Sequence, residues 1–121
     1  MQLLLLKNIN YDFTMSIKVA IEDIGKRLEE YGNSAFVVTM TEEGKAKIVH
    51  SLITLEEDFI ICSPGKGTIK NLNHSSSVSF LFPPNSHGGF SMIIDGICQA
   101  QDQEKDFIKV AVTDGVLHRP A

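Results

Sequence analysis

From Ile17 the apolar residues Ile17, Ala20, Ile21, Ile24, Leu28 and Tyr31 recur every three or four positions, the interval that lines one face of a helix. Ser16 stands where an N-cap would, Glu22 and Asp23 fall in the early turns, Lys26 and Arg27 follow, and Gly32-Asn33 stops the run. That order suits the helix dipole and a glycine terminus. The pattern predicts an amphipathic helix over about 17–31, packed on one side and structural in role.

At Ala35 the period changes to two, or to short continuous runs. Ala35–Met40 is rich in strand formers, Thr41-Glu42-Glu43-Gly44-Lys45 reads as a hairpin loop, and Ala46–Thr54 as the return strand. A second acidic turn, Glu56-Glu57-Asp58, leads to a third strand, Phe59–Cys62. Ser63-Pro64-Gly65-Lys66-Gly67 breaks the sheet, and Thr68–His74 is too short and too polar for a strand. One or two helical turns are expected there, with Thr68 as N-cap. Val78–Phe82 (ended by Pro83-Pro84), Phe90–Ala100 and Phe107–Val112 complete six strands, while Leu117–Ala121 carries no strong signal. Six antiparallel strands with one full helix before them and one short helix inserted call for a closed β-barrel, since closure removes exposed edges.

Composition narrows this to one globular domain. The chain has 121 residues, 43% hydrophobic and 21% charged, with mean hydropathy near zero, and such a domain buries roughly two thirds of its unfolded surface. Eleven basic residues against fifteen acidic ones give a net charge of −4, which argues against a nucleic-acid binder. Cys62 and Cys98 lie in apolar stretches without zinc-ligand spacing and read as reduced core thiols of a cytoplasmic protein. The opening Met1–Leu6 run stops at Lys7, lacks the features of an export signal, and falls short of the ~18 apolar residues of a membrane span. Residues 1–15 are expected as an arm or an upstream extension before a domain over 16–121.

No nucleophile triad, metal cluster or carboxylate pair stands out. The acids gather in turns, and Asp95, inside an apolar strand, is the exception. It fits a half-exposed position on the outer face or a bond to a turn. The segment Ser63–Asn71 concentrates two glycines, two hydroxyls and two lysines before a short helix. This is the chemistry of an anion site, with free backbone N–H groups and side-chain cations. It lacks the spacing of a Walker loop, and a solvated turn explains it equally. His50-Ser51 lies mid-strand, either facing solvent or meeting a ligand laid along the strand. His74, His87-Gly88-Gly89 and His118 read as loop or tail residues.

The order of elements and the stretch "CSPGKGTIKNLNHSSSVSFLF" resemble the pyridoxamine 5′-phosphate oxidase-like family of FMN-binding split barrels. The residues that carry the resemblance are Ser63, Gly65, Thr68, Lys70, Asn71, Leu72 and Val78-Ser79-Phe80, helped by "PPNSHGGFSMIIDGICQAQ" and "VLHRPA". The resemblance implies a six-stranded antiparallel split β-barrel of Greek-key type, a homodimer, with FMN in two equivalent interface grooves. It implies phosphate held by Thr68 and Lys70 with Lys66 nearby, and the flavin ring along Val49, His50, Ser51, Ile61, Cys62 and Ser63. An oxidoreductase of unknown substrate follows, since a flavin carries its own electron chemistry. Pyridoxamine-phosphate oxidation itself is not expected, because the second strand holds few Arg or Lys and the chain ends at Ala121. The thin basic set leaves open a deazaflavin, haem, a non-catalytic module or an empty groove.

Overall fold

The computed structural model describes residues 16–120, so the expected arm over 1–15 lies outside the described residues. Seven strands form one sheet: β1 (Ser16–Lys18), β2 (Ser34–Met40), β3 (Ala46–Glu56), β4 (Phe59–Cys62), β5 (Ser77–Phe82), β6 (Ser91–Asp102) and β7 (Phe107–His118). Helices α1 (Ile24–Tyr31) and α2 (Lys66–Asn71) lie between them. The order β7-β4-β3-β2-β5-β6 closes through a β6–β7 ladder into a six-stranded antiparallel barrel, and β1 adds a short seventh strand on β7. Two meanders, β2-β3-β4 and β5-β6-β7, are thus sewn together by β2–β5 and β4–β7, with α2 in the crossover.

Alternation explains the interior. In β2, β5 and the first half of β7 every second side chain points inward, giving a core of Val37, Phe80, Phe82, Ile108 and Val110, joined by Ile60, Met92 and Ile94. Burying each such side chain contributes roughly 1.5–3 kcal/mol. Ile24 of α1 is enclosed in the same core, and Leu28 and Tyr31 pack on its edge. Gly96 faces Val110 and Ala111 so closely that a Cβ there would lie 2.6 Å from the Ala111 carbonyl oxygen. No helix among the described residues is long and apolar enough to cross a membrane.

Three expectations are corrected. The helix does not begin at residue 17. Ser16–Lys18 pairs with Val116–His118, and the Val19 N–H donates to the Gly115 carbonyl at 2.8 Å. A 3-10 turn at Ile21–Asp23 then leads into α1. Here the ladder offered by β7 outweighs a weak local helix preference. The final strand does not end at Val112 but runs to His118. A register shift between Asp95 and Gly96 leaves both Thr113 and Asp114 exposed, which interrupts the alternation that would have revealed the continuation. Finally, Thr68 is not an N-cap: Gly65 holds that position, and Thr68 is buried inside α2.

Candidate functional site

The ladder between β3 and β4 runs only from Glu56–Phe59 to Ile53–Cys62. Beyond it the chain leaves β4 at Ser63-Pro64, and β3 continues with β2 as its only partner among the described residues. The opening so made is a cleft of about 370 Å³ lined by His50, Ser51, Leu52 and Thr54 from one side and Ile61, Cys62 and Ser63 from the other. Five of the residues singled out for the flavin ring therefore meet in one place. Val49 does not join them: it pairs with Val37 and packs against the core.

Ser51 is buried at the floor. Its Oγ donates to the Leu52 carbonyl at 3.0 Å and reaches the Ser63 carbonyl at 3.5 Å, tying the two walls together. Cys62 beside it is buried, and burial pushes its thiol up to about 12, against a smaller opposing effect of the Ser51 hydrogen bond. It is therefore a protonated thiol and a poor nucleophile at neutral pH. His50 faces outward and lies against the Phe36 ring.

The loop into α2 brings a second group of residues. Gly65 adopts φ +100°, a region that glycine enters without strain. Its N–H, one of the backbone donors an anion site at this loop would draw on, is already engaged: it donates to Asp106 Oδ1 at 2.7 Å. Lys66 is exposed at the start of α2, and its carbonyl accepts from Gln103 Nε2 at 3.4 Å. Thr68 is buried within α2, and its Oγ1 has no hydrogen-bond partner among the described residues. Lys70 opens elsewhere, into a hollow of about 330 Å³ shared with Glu42, Asn71, Asn73 and His74. Asn71 anchors this end of α2 to the barrel by donating to Thr39 Oγ1 at 3.2 Å.

Two residues escaped the sequence reading. Lys47 places its ammonium group where a Gly67 side chain would begin, adding a cation to the α2 entrance. Its signal was parity: Lys47 shares the inward register of Val49, Ser51 and Ile53, an unusual place for a charge. Asp106 gave none, lying in the polar turn Asp102–Asp106. Asp95 is half-buried, with its Oδ1 accepting from Ser79 Oγ at 2.6 Å, so it holds the β5–β6 ladder. Cys98 is half-buried rather than core, its thiol donating to the Ala100 carbonyl at 3.4 Å.

No family model matches the chain. Uncharacterised proteins of Mycobacterium bovis and Mycobacterium tuberculosis are each 45% identical to it over 42 residues, 35% of this chain and 30% of theirs. The matched segment thus spans under a third of the length of those relatives. Solved structures resemble it over far more of its length. A FAD-binding protein from Mesorhizobium loti superposes with a TM-score of 0.63 at 12% identity, covering 88% of this chain and 98% of its own. A candidate pyridoxamine 5′-phosphate oxidase from Corynebacterium glutamicum gives 0.60 at 10% identity, covering 90% and 96%. The chain has the pyridoxamine 5′-phosphate oxidase-like split-barrel fold. An F420 reductase shares the split barrel, with a TM-score of 0.61 at 9% identity over 74% of this chain and 94% of that one. The likeness in each case is one of fold.

Proposed function

We propose that this split barrel binds a flavin-type cofactor, FMN foremost, between two copies of the chain and acts as an oxidoreductase. The observation that carries the reading is the β3–β4 cleft, which gathers His50, Ser51, Ile61, Cys62 and Ser63 beside an exposed apolar sheet face. Split barrels whose names give FAD-binding and F420 reductase roles support a redox cofactor of this kind.

The residues present fit such a group. Leu52 and Ile61 give the cleft apolar walls, and the edge of β3 beyond Ile53 has no β4 partner, leaving backbone groups for a ring edge. The unpartnered Thr68 Oγ1 and the ammonium of Lys47 over Gly67 mark the α2 entrance as polar and cationic. Lys47 and Lys66, with Thr68, would serve a phosphate at this entrance, the lysines through charge-assisted hydrogen bonds, whereas Lys70 would reach it only from the separate hollow that it lines with Glu42. A bound flavin supplies the electron chemistry. The chain's own part is to orient the ring through Ser51 and Ser63, to exclude water with Leu52 and Ile61, and to keep the Cys62 thiol protonated beside it.

Dimerisation is the second half of the proposal. Leu52 is 71% and Ile48 60% exposed on the outer face of β3, with Phe36 and Met40 exposed beside them on β2. A contiguous apolar patch of this sort is a docking surface, and a second copy seated there would wall the cleft from outside. The free thiols of Cys62 and Cys98 suit a reducing, cytoplasmic setting. A non-catalytic carrier is the second reading, favoured by the scarcity of acid–base groups: among the described residues, His50 and Cys62 are the only ones lining the cleft.

The absorption spectrum of the purified protein, followed by equilibrium dialysis against FMN and riboflavin, tests the reading. A flavin spectrum or saturable uptake is expected; a colourless protein that takes up neither ligand overturns it. A deazaflavin or haem spectrum replaces FMN by that group. Reduction by NAD(P)H and reoxidation by an acceptor separates the enzyme from the carrier.

A further inference from the structure

The hairpin joining β6 to β7 folds onto the loop that a ligand's anionic group would use. It makes two contacts there: Asp106 Oδ1 accepts from the Gly65 N–H at 2.7 Å, and Gln103 Nε2 donates to the Lys66 carbonyl at 3.4 Å. Asp106 itself sits at φ +54°, in the left-handed region. Asp enters that region more readily than most residues, so its backbone conformation is part of how the contact is held. Asp102, on the same hairpin, turns the other way and accepts from the N–H groups of Glu104 and Lys105 at 3.1 and 3.2 Å.

The consequence concerns ligand charge. A phosphate brought to the α2 entrance finds Lys47 and Lys66, but it also finds the Gly65 donor engaged and a carboxylate beside it. A neutral ribityl chain meets no such repulsion. We infer that Asp106 is a specificity-determining residue that lowers this protein's preference for a phosphorylated flavin over riboflavin, by holding the loop amide with the chain's own negative charge. The inference rests on the flavin reading above and adds a selector that the cation set alone does not reveal.

The test is a pair of affinities, for FMN and for riboflavin, measured by flavin fluorescence on the native protein and on Asp106→Asn, at low and high salt. Asn keeps an acceptor for Gly65 and tolerates the same backbone region, so only the charge is removed. The expected result is FMN binding tightened about fivefold or more at low salt, with riboflavin unchanged and the contrast shrinking as salt screens it. Asp106→Gly, which adopts positive φ freely, is expected to show the same FMN-selective gain and covers an Asn variant that folds poorly. Asp102→Asn, whose carboxylate serves its own turn, is expected to leave the ratio at its native value. Equal changes for both ligands, no change, or the same shift from Asp102→Asn overturns the role of Asp106 while leaving flavin binding in place. A native protein that binds neither ligand overturns the flavin reading, and this inference with it.

Discussion

Phe36 and His50 are direct partners in the β2–β3 ladder, and their rings meet on the outer face of the barrel with centroids 4.9 Å apart and planes tilted by 44°. Ile48 and Leu52 flank His50 on the same face. If this face docks a second copy, Leu52→Asp places an unpaired charge in the centre of the contact. Sedimentation is expected to show a native dimer and a Leu52→Asp protein whose dimer constant is weakened about 30-fold or more. A native monomer at all accessible concentrations defeats the dimer proposal.

Lys70 stands apart from the β3–β4 cleft, in the hollow with Asn71, Asn73 and His74. If it serves the phosphate, Lys70→Ala weakens FMN about fivefold and leaves riboflavin unchanged, an exposed charge being worth about 1 kcal/mol. Parallel titrations decide it: equal losses for both ligands would remove Lys70 from the phosphate site.

Cys62 makes the fold sensitive to alkali. Its folded value is raised by burial from 9.0 to about 12, so the folded thiol stays protonated while the unfolded one ionises. The contribution is fully present below pH 9 and is lost as pH rises toward about 12. Urea midpoints are expected to fall less steeply over that window for Cys62→Ala than for the native chain. At neutral pH the variant is less stable by roughly 1–2 kcal/mol for lost packing. Parallel slopes would show that the thiol is not the source.

Gly96→Ala probes the closest approach in the barrel wall. The added Cβ would meet Val110 Cγ1 at 2.5 Å and the Ala111 carbonyl oxygen at 2.6 Å, and the latter is backbone that cannot turn aside. A loss of roughly 2–3 kcal/mol is expected, read as a fall of roughly 10 °C or more in thermal midpoint. An unchanged midpoint would mean that the two strands separate easily.

Most of the barrel was legible because its strands obey a period of two wherever one face is buried, as from Ala35 to Met40 and from Phe107 to Val112. Legibility failed where a partner distant in sequence sets the conformation. Ser16–Lys18 is a strand because Val116–His118 lies beside it, and nothing local to either segment says so. The cleft was legible through the family resemblance, which singled out Ser51 in the middle of β3 and Ser63 just past the end of β4. The α2 entrance was readable as composition but not as electrostatics, since Asp106 arrives from 41 residues away in the chain to take the Gly65 donor.

The last described strand has an unusual share of the architecture. β7 pairs with β1, β4 and β6, so three edges remain open until residues 107–118 are in place. On a ribosome, β2-β3-β4 and the β5–β6 hairpin can pair through β2 and β5, but no barrel closes before this strand emerges. Folding should accordingly be late and all-or-none, dominated by contacts between distant parts of the chain, with the unpaired rims of β4 and β6 as the surfaces most exposed to wrong pairing in the interval.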